Sequence, residues 1–139
     1  MSEVFVDTRN TPALPRRVLI LDDDAIVRDV MEEIITTLGF DAVSTADGEE
    51  MLVRYAEAGE AGAPFALVIM DLIMPGGLGG LEAMQRLLAQ DPQVRAIVSS
   101  GYAADSIMVD YRRHGFSGVI AKPFRVQELR EVIDSVLAE

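Results

Sequence analysis

The 139-residue chain carries 12 Lys plus Arg against 23 Asp plus Glu, a formal net charge of -11, with no cysteine and a single histidine, His114. That balance argues against nucleic acid or anionic lipid as a partner, and the absent thiols exclude disulfides, thiolate metal sites and cysteine nucleophiles. One histidine speaks against a histidine-based zinc site, no apolar run approaches the roughly 18 residues that span a bilayer, and no signal-peptide core opens the chain, so a single cytoplasmic domain without membrane contact is expected.

Residues 1–15 hold two prolines, Thr and Asn without periodicity and are expected to be a flexible tail or linker, with the domain over residues 16–139. Residues 17–21, RVLIL, predict a short apolar strand that runs straight into Asp22, Asp23 and Asp24. Over residues 24–38, Ile26, Val27, Val30, Met31, Ile34, Ile35 and Leu38 recur at helical spacing, with Asp24 suited to the N-cap and Gly39 to the stop. A weaker strand follows over residues 40–45. Asp47 and Glu50 fit a capping box that opens a second helix over residues 48–58, and residues 59–64 loop back.

Residues 65–70, FALVIM, are apolar without alternation, the pattern of a strand buried on both faces in the middle of a parallel sheet. Asp71 sits where this strand leaves the core, and Pro75 and Gly76 then break regular structure. Leu81, Met84, Leu87 and Leu88 predict a third helix to Gln90, closed by Asp91 and Pro92. A fourth strand over residues 95–99 ends in Ser100, Gly101 and Tyr102, and a fourth helix covers residues 106–114 before Gly115. The fifth strand, residues 118–121, ends in Lys122, Pro123 and Phe124. The last helix carries Val126, Leu129, Val132, Ile133, Val136 and Leu137 on one stripe.

Five strand–helix alternations predict an α/β domain: one doubly wound five-stranded parallel sheet with helices on both faces, joined by right-handed crossovers. Parallel strands put all their carboxyl ends on one edge, where such folds bind ligands. Asp22, Asp23, Asp71, Ser100 and Lys122 each lie at or just beyond such an end, so residues remote in sequence can converge. Three clustered carboxylates either raise a pKa or hold a cation, and hard oxygen donors favour magnesium or calcium, with magnesium better suited to few protein ligands and an open edge. Lys122 and the Ser100 hydroxyl can receive a phosphoryl group, and the Asp71 carboxylate can attack phosphorus.

The segments LDDD at 21–24, MDLIMPGG at 70–77, SSGY at 99–102 and AKPF at 121–124 resemble the receiver domain of two-component response regulators, over about residues 16–137. PGGLGG, VSSGY and GFSGVIAKPF look most like the receiver at the C-terminus of hybrid sensor histidine kinases. The resemblance implies a flavodoxin-like fold with strand order 2-1-3-4-5. It implies that Asp71 is the phosphorylated residue and that Asp22 and Asp23 hold Mg2+, Asp23 directly and Asp22 largely through water, with the Ile73 backbone carbonyl as a further ligand. Ser100, Gly101 and Lys122 match the phosphoryl-binding positions, and Pro123 the position of a cis peptide bond. The implied partners are a sensor histidine kinase, in cis or in trans, and a histidine phosphotransfer protein that can take the phosphoryl group onward; the domain itself is expected to be a monomer or weak dimer. The resemblance further implies a phosphoacceptor rather than an enzyme, at most assisting its own phosphorylation and dephosphorylation.

Two departures bear on behaviour. The turn after Asp71 looks one residue longer than the family pattern, at Gly79 and Gly80, and Val119 stands where an aromatic residue usually reports phosphorylation, which suits a receiver that passes phosphate on. Ile73 and Tyr102 would flank an acyl phosphate without orienting an attacking water, so slow self-hydrolysis is expected. Blander readings exist for single landmarks: Asp22 and Asp23 as helix caps, Lys122 as a surface charge, the methionines as core filler, His114 as a neighbour of a helix C-terminus, and the acidic excess as a solvated surface. The rival functions are a magnesium-dependent phosphohydrolase with an aspartyl nucleophile, which wants a second acid where Ile73 stands, and a pseudo-receiver that only binds.

Overall fold

The computed structural model describes residues 16–74, 76–101 and 106–139. The expected tail, residues 1–15, lies outside them. Five strands, β1 (Arg17–Leu21), β2 (Asp41–Thr45), β3 (Leu67–Asp71), β4 (Ala96–Ser100) and β5 (Gly118–Ala121), form one parallel sheet in the order β2-β1-β3-β4-β5. They alternate with helices α1 (Ala25–Thr37), α2 (Gly48–Glu60), α3 (Gly80–Gln90), α4 (Ser106–Val109) and α5 (Val126–Leu137). The doubly wound α/β architecture and its strand order are those expected.

Period-two alternation divides the core. Leu19, Leu21, Val68 and Met70 face α2 and α3, where Met51, Leu52, Met84 and Leu87 are buried against them. Val18, Ile20, Leu67 and Ile69 face the opposite way, toward Met31 and Ile35 of α1 and Leu129, Ile133 and Val136 of α5. Both faces of β1 and β3 are therefore apolar, as a central parallel strand requires. Met31, Met70, Met84 and Met108 are all buried filler. Among the described residues no helix is long and apolar enough to cross a membrane.

Several local expectations need correction. The fourth helix does not run through residues 106–114: α4 stops at Val109, Asp110 leaves the helical region at φ -101 and ψ 34, and Tyr111–His114 form a tighter 3-10 turn. Gly115, at φ 91, ends that turn and lets the Phe116 amide reach the Tyr111 carbonyl, which places the Phe116 ring in the core. Burying Phe116 outweighs one more regular turn. At α2, Asp47 accepts from the Glu50 amide as expected, but the Glu50 carboxylate reaches Ala46 N–H, one residue before the cap, and the helix runs on to Glu60. β4 is shifted by one residue, so Ser100 belongs to the strand.

Thr45 ties the sheet to the loop that carries the acid pair. Its buried hydroxyl donates to the Ile20 carbonyl at 2.8 Å, and its own carbonyl accepts from the Asp22 amide at 3.2 Å. Thr45→Val keeps the shape and removes the first bond. We expect a loss of about 1 kcal/mol, the net value of one such bond, read in urea denaturation as a lower midpoint with an unchanged slope.

Candidate functional site

Sheet register does most of the assembly. Leu21 pairs with Met70, Asp71 with Ser99, and Ser100 with Ala121. Asp22, Asp71, Ser100 and Lys122 are thus neighbours along one edge before any side-chain contact is considered. Backbone bonds extend the ladder past the strand ends: Leu72 N–H donates to Ser99 at 2.9 Å and Lys122 N–H to Ser100 at 2.8 Å.

One carboxylate oxygen from each of Asp22, Asp23 and Asp71 lies within 4.8 Å of the other two. Asp22 is buried and doubly used: one oxygen accepts from the Asp24 amide at 2.9 Å and the other from Lys122 Nζ at 2.7 Å. Asp23 is exposed and Asp71 half-buried. Asp24 also caps α1, accepting from the Ile26 and Val27 amides. A hard divalent cation fits this donor set, since the three acids are close, oxygen-only and open to solvent on the Asp23 side.

Lys122 is shared unequally, with its Nζ 3.6 Å from Asp71 Oδ2 against 2.7 Å from Asp22. Burial pulls the Lys122 amine down, but the hydrogen bond it donates to Asp22 and the charges of Asp71 and Asp22 outweigh it, and the ammonium is held above its ordinary value. The Asp71 carboxyl goes up as well. Its burial and the neighbouring charges of Asp22 and Asp23 exceed the opposing pull of Lys122 and of the Ile73 amide, which donates across 3.4 Å. The two shifts are compatible because Asp22 takes the direct hydrogen bond and leaves Asp71 the longer contact.

The other expected positions can be placed as follows. Ser100 is buried at the end of β4, Gly101 is exposed beyond it, and a Cβ on Gly101 would meet nothing within 4 Å. The Lys122–Pro123 peptide is cis. Ile73 turns outward, 45% exposed, between buried Leu72 and Met74. Val119 is half-buried on β5, beside Tyr111 and away from the acids, on the wall of a cavity of about 240 Å³. His114 ends the 3-10 turn, outside the acidic cluster. Tyr102 lies outside the described residues.

Sequence reading missed two supports. Arg28, a turn into α1, donates to the Asp22 carbonyl at 2.8 Å and braces the acid loop; its place four residues after the cap Asp24 was the available signal. Gly80 was read as loop length. It is instead the buried first residue of α3, where a Cβ would lie 2.5 Å from the Asp71 carbonyl and 2.8 Å from that of Leu72. The left-handed backbone angles in this turn fall at Gly76 and Gly77, at φ 78 and 158.

The response regulator receiver domain family matches residues 18–134. The chain is 30% identical over 122 residues to the chemotaxis protein CheY of Thermotoga maritima, which covers 87% of this chain and 97% of that one. It is 30% identical over 125 residues to CheY of Bacillus subtilis, covering 89% and 99%. Among solved structures it is similar to a CheX–CheY–BeF3–Mg2+ complex from Borrelia burgdorferi, with a TM-score of 0.81 and 26% identity over 91% of this chain and 92% of that one. The fold also matches the receiver domain of a sensor histidine kinase from Pseudomonas aeruginosa PAO1, a structure with magnesium in its active-site cleft, at a TM-score of 0.76 and 24% identity over 90% and 99%.

A raised Asp71 carboxyl carries a sign for stability. The native state keeps this proton to higher pH than the unfolded chain, so stability falls as pH rises from the ordinary carboxylate range through the raised native value. Without metal, Asp71→Asn removes that loss. We expect a higher thermal midpoint than wild type at pH 7 in chelator, with the two converging at acid pH; a lower midpoint for the variant at pH 7 contradicts this balance of charges.

Proposed function

Because the chain belongs to the response regulator receiver domain family, we propose that Asp71 accepts a phosphoryl group from the phosphohistidine of a sensor histidine kinase in a cytoplasmic two-component system or phosphorelay. The observation that carries this reading is the meeting of Asp22, Asp23 and Asp71 with Lys122 at a single sheet edge. Mg2+ is the ion we assign to the three acids, with the Ile73 carbonyl as a backbone ligand; the Borrelia relative carries Mg2+ with its BeF3 group. When bound, the ion supplies positive charge next to the phosphoryl oxygens.

The protein's own groups then divide the work. An Asp71 oxygen forms the new P–O bond as the P–N bond of the donor breaks, and the bond's electron pair returns to the imidazole nitrogen. Asp23, exposed, is free to ligate directly; Asp22, with both oxygens already accepting bonds, acts through water. Lys122 offers its charge to the transferred group, with the Ser100 hydroxyl as a further donor, and Gly101 leaves space above it. Ile73 has an apolar side chain beside Asp71 and cannot orient an attacking water, so the acyl phosphate decays slowly. The phosphohydrolase alternative lacks its second acid at Ile73 and is not favoured.

The donor must bring its phosphohistidine within bonding distance of Asp71, so its flanks contact whatever borders the site. One border is an apolar groove of about 530 Å³, lined by Ile26, Val27, Val30 and Phe124 and reaching Gly101 and Lys122. Ile26 is 75% exposed there. We assign this α1 face to the phosphohistidine-bearing domain of the kinase, or of a histidine phosphotransfer protein that receives the group in turn.

Intact mass after incubation with acetyl phosphate and Mg2+ tests the acceptor. We expect one phosphate-sized gain in wild type, slow to decay, and none in Asp71→Asn; turnover of small phosphate esters well beyond one per protein would instead favour the hydrolase. For the docking face, Ile26→Glu is expected to slow transfer from a kinase domain that labels wild type by about tenfold, equivalent to roughly 1.4 kcal/mol. Labelling by acetyl phosphate should be unchanged, and equal losses with both donors would remove the face from the recognition step.

A further inference from the structure

The corner between β2 and α2 touches both loops that carry site carboxylates. On one side the Thr45 carbonyl holds the Asp22 amide. On the other, Leu78 from the loop after Asp71 presses on Gly48, the first residue of α2: a Cβ on Gly48 would lie 2.9 Å from Leu78 Cδ2 and 3.1 Å from its Cβ. Gly48 is buried and has no positive φ, so its backbone angles do not call for glycine, and glycine lowers helix propensity. What the missing side chain provides is room for Leu78.

Residues 76–80 read GGLGG, and Leu78 alone among them has a side chain beyond hydrogen. Glycines lose the most conformational freedom on ordering, so this tip gains almost nothing from packing except through Leu78, which packs against the larger buried cluster to which Met51, Leu52 and Met74 belong. Before the tip, Leu72 and Met74 are buried on either side of outward-facing Ile73; after it, Gly80 N–H donates to the Leu72 carbonyl at 3.2 Å.

We propose that Leu78, seated on Gly48, is a positioning residue for the metal and phosphoryl site, fixing the backbone path from Asp71 through Ile73 so that its oxygens stay in ligating register with Asp22 and Asp23. The proposal rests on the phosphoacceptor reading above. It makes the α2 start a brace shared by the two acidic loops rather than a remote surface.

The test compares wild type with Leu78→Ala, Gly48→Ala, the pair Gly48→Ala with Leu78→Val, and Leu87→Ala as a control in the same core, seven residues on from the start of α3. Mg2+ affinity by calorimetry, labelling rate with acetyl phosphate, thermal midpoint in chelator and Ile73 amide exchange in metal-free protein are read for each. Leu78→Ala is expected to weaken Mg2+ binding by roughly tenfold, as loss of a support behind a metal ligand does, and to speed exchange at Ile73. Gly48→Ala weakens binding in the same direction while its midpoint holds, because alanine improves the helix as it displaces Leu78. Trimming Leu78 to Val in that background restores affinity, and Leu87→Ala lowers the midpoint with Mg2+ affinity intact. Leu78→Ala and Gly48→Ala proteins whose Mg2+ affinity changes less than about twofold, under 0.5 kcal/mol, overturn the positioning role alone. A wild type that neither binds Mg2+ nor takes label overturns the acceptor reading and the positioning role with it.

Discussion

Like charge held together at a sheet edge is the constraint on which the rest of this structure turns. Two unit charges about 4 Å apart in a partly solvated protein site interact by roughly 4 kcal/mol. Asp22, Asp23 and Asp71 make three repulsive pairs, while Lys122 makes close attractive pairs with only two of them. Burial of Asp71 is the largest part of the imbalance, and repulsion from Asp22 and Asp23 adds to it against the pull of Lys122. The fold tolerates this by spreading the cost: backbone amides at Asp24 and Ile73 donate into the cluster, the guanidinium of Arg28 is spent on the Asp22 carbonyl, and Asp23 stays in water. What remains is a site with residual demand for positive charge, the property a cation and phosphoryl site needs.

Hydrophobic patterning is what forces the acids together. β1 and β3 are buried on both faces, so a one-residue slip in either would exchange the side chains packed against α2 and α3 with those packed against α1 and α5, two layers of different shape, and shift the strand-end acids out of line. Their register is consequently fixed by the core, and the register sets Asp22 beside Asp71. This explains why so much was legible in the chain alone. Apolar runs located the strands, the strand ends located the acids and the lysine, and alternation with helices required the parallel direction that puts those ends on one edge. Asp24 and Asp47 were readable as caps because a helix start demands an acceptor for its free amides.

Legibility failed where the deciding contact comes from elsewhere in the fold. Gly80 reads as part of a turn and Gly48 as an ordinary helix start, yet each is glycine because another atom fills the place of its Cβ: the Asp71 carbonyl in one case, Leu78 in the other. Nothing local encodes that distinction. The fourth helix failed for a related reason, since periodicity over residues 106–114 cannot know that Phe116 must enter the core and that the preceding turn must tighten to deliver it. Arg28 was missed because it serves a carbonyl: its place four residues after the cap Asp24 puts it near the acid loop, but does not say which acceptor it takes.

The unequal sharing of Lys122 then becomes informative about function. Its ammonium lies nearer Asp22, whose carboxylate is buried and tied to the Asp24 amide, than Asp71, which is half-buried. On the phosphoacceptor reading, a phosphoryl group on Asp71 would carry its oxygens and added negative charge outward from that carboxylate, and the flexible lysine stem lets the amine follow. An amine already committed wholly to Asp71 would compete with the incoming phosphorus for the same lone pairs. Parking it on Asp22 keeps the Asp71 oxygen available as a nucleophile while holding the cation one short step from the product.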